Sequence, residues 1–187
     1  MPFTSLKSLL ERLRIISIIR WIEDWWFDTT RSVQTRGNVK AFGESKIVGE
    51  IRDSLTYIPV RPANARAAMR ELPIKNHSQY TFIDMGSGKG RMLFLAAEHS
   101  FRKVEGVEFV VGLHEQALDN IRRNNHRKQK CVDIESINAN AAEFEFPNEK
   151  LVICVFNPFG PEVLSRMLTN LERSLERHPR HVILLVI

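Results

Sequence analysis

The segment Thr81-Phe-Ile-Asp-Met-Gly-Ser-Gly-Lys-Gly-Arg91 constrains this chain more than any other. A short apolar strand ends in Asp84, glycines follow at alternate positions 86, 88 and 90, and a helix-like run, Met92-Leu-Phe-Leu-Ala-Ala-Glu98, comes next. Alternate glycines let the backbone turn sharply and let a ligand approach closer than a Cβ permits. A turn between a strand's carboxyl end and a helix's amino end is where open α/β sheets bind ligands, and the first N–H groups of the helix point outward there.

Known nucleotide-binding turns fit unequally. A P-loop built on Gly88-Lys89 needs Gly at Ile83 and Ser or Thr at Gly90, and has neither. A dinucleotide fingerprint starting at Gly86 needs its third small residue at Arg91, where helix and strand pack closely. What remains, Asp84-x-Gly86-x-Gly88-x-Gly90, resembles the first motif of class I S-adenosylmethionine (SAM) methyltransferases. Three downstream matches follow in order. Val104-Glu-Gly-Val-Glu108 is a second strand ending in an acid, and the resemblance implies that Glu108 accepts from both ribose hydroxyls. A third strand, Glu135–Asn138, leads to Asn140, where the family usually has Asp for the adenine amino group; an amide carbonyl can also accept that bond. A fourth, Leu151–Phe156, runs into Asn157-Pro-Phe-Gly160.

The resemblance covers residues 81 to 160. It implies SAM as cofactor, with Gly86, Gly88 and Gly90 against its methionine portion and Asp84 at its ammonium end. Phe109 becomes a packing surface for the adenine. Because a sulfonium carries its own leaving group, no metal is required, and catalysis is alignment plus exclusion of water. Asn157, Pro158 and Phe159 resemble the [DN]-P-P-[FYW] motif of methyltransferases acting on nitrogen, with one proline missing and the aromatic one place early. An ordinary Asn-Pro turn explains the same residues equally well. The loop also looks like that of protein-lysine methyltransferases, including those acting on ATP synthase c-subunits. Protein lysine is therefore the favoured acceptor, with nucleic acid or a small amine behind it. Two other classes stay open: a nicotinamide-dependent oxidoreductase, opposed by Arg91 and Asp84, and a catalytically silent SAM-binding or scaffold domain.

The rest of the chain agrees with an α/β protein. At 187 residues, 43% hydrophobic and 26% charged, it suits one domain with a real core. The expected fold is a doubly wound, mainly parallel, Rossmann-like sheet with right-handed crossovers. Helices are expected at about Pro62–Leu72, Arg91–His99, Leu113–Asn124 and Glu162–Arg177, with Pro161 opening the last. His181–Ile187 forms a fifth strand at the chain's end, where class I methyltransferases normally add a helix and two more strands. An apolar edge there implies a longer protein, or another chain covering it by self-association. The division is 1–60, an N-terminal helix and cofactor-mouth segment, and 61–187, the SAM-binding domain.

Residues 5 to 27 read as a helix capped by Thr4 or Ser5, with a leucine stripe passing into an isoleucine and tryptophan stripe. It is expected to pack on the main domain; a substrate-side lid or membrane-surface anchor is the sharper alternative, favoured by Trp21, Trp25 and Trp26. Charges at Lys7, Glu11, Arg12, Arg14 and Arg20 rule out a span and a signal peptide. Thr35 and Tyr57 are candidate contacts over the cofactor mouth. The net charge of +5 invites a nucleic-acid partner, but its densest run, Arg122 to Lys130, has no interleaved aromatic and reads as a solvated helix end. Cys131 and Cys154 belong to no metal or redox spacing, and the chain is expected to be cytoplasmic.

Overall fold

The structure, a computed structural model, describes residues 6–37, 57–125, 127–156 and 159–187, with the side chains of the first helix described from Ile15 onward. In chain order the elements are α1 (Leu6–Arg31), α2 (Pro62–Arg70), β1 (Tyr80–Met85), α3 (Arg91–Ala96), β2 (Lys103–Glu108), α4 (Val111–Arg123), β3 (Ile134–Asn138), β4 (Lys150–Val155), α5 (Pro161–Arg177) and β5 (Val182–Val186). All strand pairs are parallel, and the sheet order is β3-β2-β1-β4-β5. This is the Rossmann-like, doubly wound arrangement expected. The chain winds outward from β1 to β3, then returns past β1 to β4. The switch point therefore lies between the carboxyl ends of β1 and β4, the ligand position in such sheets.

Alternation along the strands builds two cores. Phe82, Val104, Val152 and Cys154 face one side with Leu93, Leu95 and Met69 of the helices. Ile83, Met85, Val107, Leu151 and Ile153 face the other with Met167 and Leu171 of α5. A strand buried on both faces is mostly apolar, and β1 is wholly buried along its six residues, with Thr81 and Asp84 its polar exceptions.

Three expectations shift. α3 stops at Ala96 rather than His99, because the N–H groups of Glu98 (3.3 Å) and His99 (2.9 Å) turn to the carbonyls three residues back, and the Ala97 carbonyl is taken by the N–H groups of Lys130 (2.7 Å) and Cys131 (3.1 Å). α1 runs four residues beyond 27, to Arg31, and turns at Ser32 with φ 58°. The expected packing of its isoleucine and tryptophan stripe is not found: Ile15, Ile18, Ile19, Ile22, Trp25 and Trp26 are exposed, and Phe27, Asp28 and Arg31 are buried instead. The cap expected at Thr4 or Ser5 lies outside the described residues. No helix among the described residues is long and apolar enough to cross a membrane. At the far edge β5 pairs with β4, and Leu184 and Val186 are exposed.

Candidate functional site

The turn after β1 folds as a left-handed staircase. Gly86, Gly88 and Gly90 have φ of 81°, 54° and 83°, a region that side-chain-bearing residues rarely adopt. Its N–H groups are largely engaged within the protein. Those of Gly86 (2.8 Å) and Ser87 (3.1 Å) donate to the Val107 carbonyl, that of Gly90 to Ser87 (2.9 Å), and that of Gly88 to the Glu108 carboxylate (2.7 Å). The expectation of free, outward donors is corrected at these four positions. Gly88 is also glycine for a different reason than ligand approach, since a Cβ there would come within 2.3 Å of the Tyr57 ring. Of the three glycines, Gly86 keeps accessible surface, while Gly88 and Gly90 are buried.

Glu108 ends β2 and is buried. One carboxylate oxygen takes the Gly88 N–H and the other the Val110 N–H (2.8 Å) at the start of α4. A carboxylate has about four lone-pair positions, so acceptor capacity remains. Burial raises its pKa, and these backbone donors pull it back. Asp84 lies next to it at the end of β1. Burial first, and the Glu108 charge second, push its pKa up to about 7, against a bond from the Cys154 thiol. Two carboxylates, one of them poised to hold or lose a proton near neutrality, thus flank the glycine turn.

β3 completes the far wall. The Asn138 side chain donates to the carbonyls of Glu108 (2.8 Å) and Phe109 (3.1 Å), and the Ala139 N–H to Glu108 (3.2 Å). These bonds bring Glu108, the exposed Phe109 ring and Asn140 to one rim. The Asn140 side-chain oxygen Oδ1 accepts from the Ala142 N–H (3.0 Å), capping a short 3-10 turn. Phe159 is partly buried and packs against the second core. Asn157 and Pro158 lie outside the described residues.

The opposite wall comes from the N-terminal segment. The Tyr57 hydroxyl donates to the Thr35 carbonyl (2.6 Å), while its ring covers Gly88 and burial raises its pKa. Lys89 Nζ lies 5.2 Å from that ring's centroid and donates to the Arg36 carbonyl (3.1 Å). Asn120 of α4 accepts from the Gln34 N–H (2.8 Å) and donates to Lys89 (3.0 Å), tying this segment to the glycine turn. Arg91 fits because its guanidinium leaves the helix–strand contact. Its Nε donates to Thr35 Oγ1 (2.7 Å), and its Nη1 to Asp24 and to the Val60 carbonyl (3.3 Å).

Sequence reasoning missed Gly106, Asn120 and Asn138. A Cβ at Gly106 would fall 2.6 Å from Ser87 Oγ, so β2 needs glycine there for the loop to sit down. The signal was present, a glycine inside the apolar strand Val104–Glu108, which marks a close approach of backbone. No comparable signal marks Asn120 and Asn138, whose partners lie 29 to 86 residues away.

No protein-family model and no curated protein sequence matches the chain. The solved structures it resembles are methyltransferases. A SAM-dependent methyltransferase of Leishmania major matches at 15% identity over 66% of this chain and 48% of that one, with a TM-score of 0.49. The 23S rRNA methyltransferase ErmE matches at 17% over 70% and 44%, with 0.46. Phosphoethanolamine N-methyltransferase 1 of Haemonchus contortus, solved with S-adenosylhomocysteine, matches at 16% over 60% and 23%, with 0.44. The chain spans between about a quarter and a half of the length of these structures.

Proposed function

We propose that this chain binds SAM at the turn between β1 and α3 and transfers its methyl group to a nucleophile, with nitrogen favoured. The observation that carries the reading is the pairing of a glycine turn with two buried carboxylates. Asp84 and Glu108 oppose a pyrophosphate, and four of the turn's N–H groups already have partners, so the site is poorly equipped for a dinucleotide's phosphates. An ammonium and a sulfonium suit the same acids well.

SAM supplies an activated methyl group together with its leaving group, so the protein's work is binding, orientation and exclusion of water. Glu108 has lone pairs left for the ribose hydroxyls. Asp84 offers its carboxylate to the ammonium end beside Gly86. Phe109 and Asn140, on the rim opposite, suit the adenine ring and its edge. Tyr57 and Lys89 wall the other side. Asn157, which follows β4 in the chain, is assigned the role of orienting the acceptor nitrogen. Protein lysine is the favoured acceptor, by the likeness of the glycine loop, ahead of nucleic acid or a small amine.

Two variants separate binding from chemistry. Glu108→Ala should weaken SAM binding by roughly 1–3 kcal/mol, the scale of a hydrogen bond to a charged group. Asn157→Ala should leave SAM affinity unchanged while turnover falls, in a lysate assay with labelled SAM that also identifies the methylated molecule. Full turnover in folded Asn157→Ala would reduce residues 157–160 to a turn, and unaltered SAM affinity in Glu108→Ala would displace the cofactor from β2.

A further inference from the structure

We propose that α1 lies in the plane of an anionic membrane surface and holds the domain against it. The helix meets its own protein with its charged side. Glu23 accepts from Arg61 and from the Ala63 N–H (2.9 Å), Asp24 from Arg91, and Asp28 from Thr35 and the Arg36 N–H (3.0 Å), while Arg31 donates to Glu98. Residues two apart on a helix lie on nearly opposite sides. Ile22 and Trp26, two before Asp24 and Asp28, therefore face away from the domain. Ile15, Ile18, Ile19 and Trp25 recur at the three- and four-residue spacing that puts them on that same outward face. All six are between 40 and 62% exposed. Ile16 (52%) and Trp21 (61%), off this stripe, are exposed too, so the stretch from Ile15 to Trp26 presents its apolar side chains outward while the domain holds Glu23 and Asp24, and it fits a surface with an apolar interior.

Charge decides what kind of surface. Three acids in the second half of the helix, Glu23, Asp24 and Asp28, are held by the domain's arginines and backbone. The stretch from Leu6 to Ile22 carries four cations, Lys7, Arg12, Arg14 and Arg20, against one acid, Glu11. A basic apolar helix with indole rings at one end is the composition that sits at the headgroup level and is drawn to anionic lipid. The same charges keep it from crossing, as no described helix is long and apolar enough to span.

The test is sedimentation of the whole chain with vesicles of phosphatidylcholine alone, or with about 30% phosphatidylglycerol added, an anionic fraction that attracts basic segments. The protein should pellet at least about tenfold more with the anionic vesicles, with a blue shift of tryptophan emission, and about 0.5 M salt should release much of it. Ile18→Glu with Trp25→Glu changes only exposed side chains, so it should abolish pelleting while leaving the melting temperature unchanged. Wild-type protein left in the supernatant with both vesicles overturns the proposal, as does equal pelleting with both or full pelleting of the folded double variant. A dimer that the double variant dissolves, with no vesicle binding, would assign the stripe to a second copy instead.

Discussion

Asp84 is the residue on which the chemistry of the site turns. Its carboxyl is held near pKa 7 by burial and by Glu108, above the ordinary carboxylate value of 3.8. A carboxyl raised on folding contributes stability that is fully present below about pH 4 and lost as pH rises through about 7. Asp84→Asn removes that loss. It should raise the melting temperature of the ligand-free protein at pH 8 by roughly 2–4 °C, the effect of about 1 kcal/mol in a domain of this size. An ammonium beside Asp84 favours the carboxylate, so SAM binding should release a proton. Affinity should then weaken below pH 7, by up to about tenfold per pH unit. Calorimetry at pH 6 and 7.5 checks this, and equal affinities would remove Asp84 from contact with the cation. Gly106 tests the loop's seat. Its replacement by Ala places a Cβ 2.7 Å from Ser87 Cβ, whose backbone N–H is fixed to Val107, and should cost about 1–3 kcal/mol by thermal unfolding. An unshifted melting curve would mean that the turn is free to move.

Among the elements, α1 and α3 are joined by a buried ionic knot. Arg91, 2% exposed, bridges Asp24, Thr35 and the Val60 carbonyl, with Asp28 3.8 Å away. Removing it leaves Asp24 without its cation and Asp28 with Arg36 alone, 3.8 Å away, and breaking a buried pair costs about 3–5 kcal/mol. Arg91→Met should therefore destabilise the protein by that order and expose the bonds after Arg31 and Arg36 to trypsin. Wild-type stability would show that the knot contributes nothing net. The sequence makes α1 visible as a helix but misstates its orientation. Periodicity reveals that an apolar face exists, whereas the face that docks is chosen by Arg61, Arg91 and Glu98, whose positions near α1 follow from tertiary folding. α3 likewise tightens into three-residue bonds at Glu98 and His99, before the Ala97 carbonyl meets Lys130 and Cys131 from far along the chain. The strands were legible to within a residue or so: burial makes β1 and β4 mostly apolar runs, while β2 and β3 were legible from their order after the glycine turn.

Across the whole molecule, the sheet order places the β1 turn, the ends of β2 and β3, and the loop after β4 around one switch point. That much follows from alternating strand and helix patterns with the glycine turn after the first strand. The wall made by Thr35 and Tyr57 was visible only as two candidates, since its docking depends on Asn120 and Arg91, far along the chain. The ligand that this crevice selects decides its function. Titration calorimetry of the wild-type chain with SAM and with NAD, side by side at pH 7.5, measures that choice. The two carboxylates and the occupied loop donors predict saturable SAM binding, at least about tenfold tighter than NAD, a difference of about 1.4 kcal/mol. NAD bound as tightly as SAM, or more tightly, would contradict it.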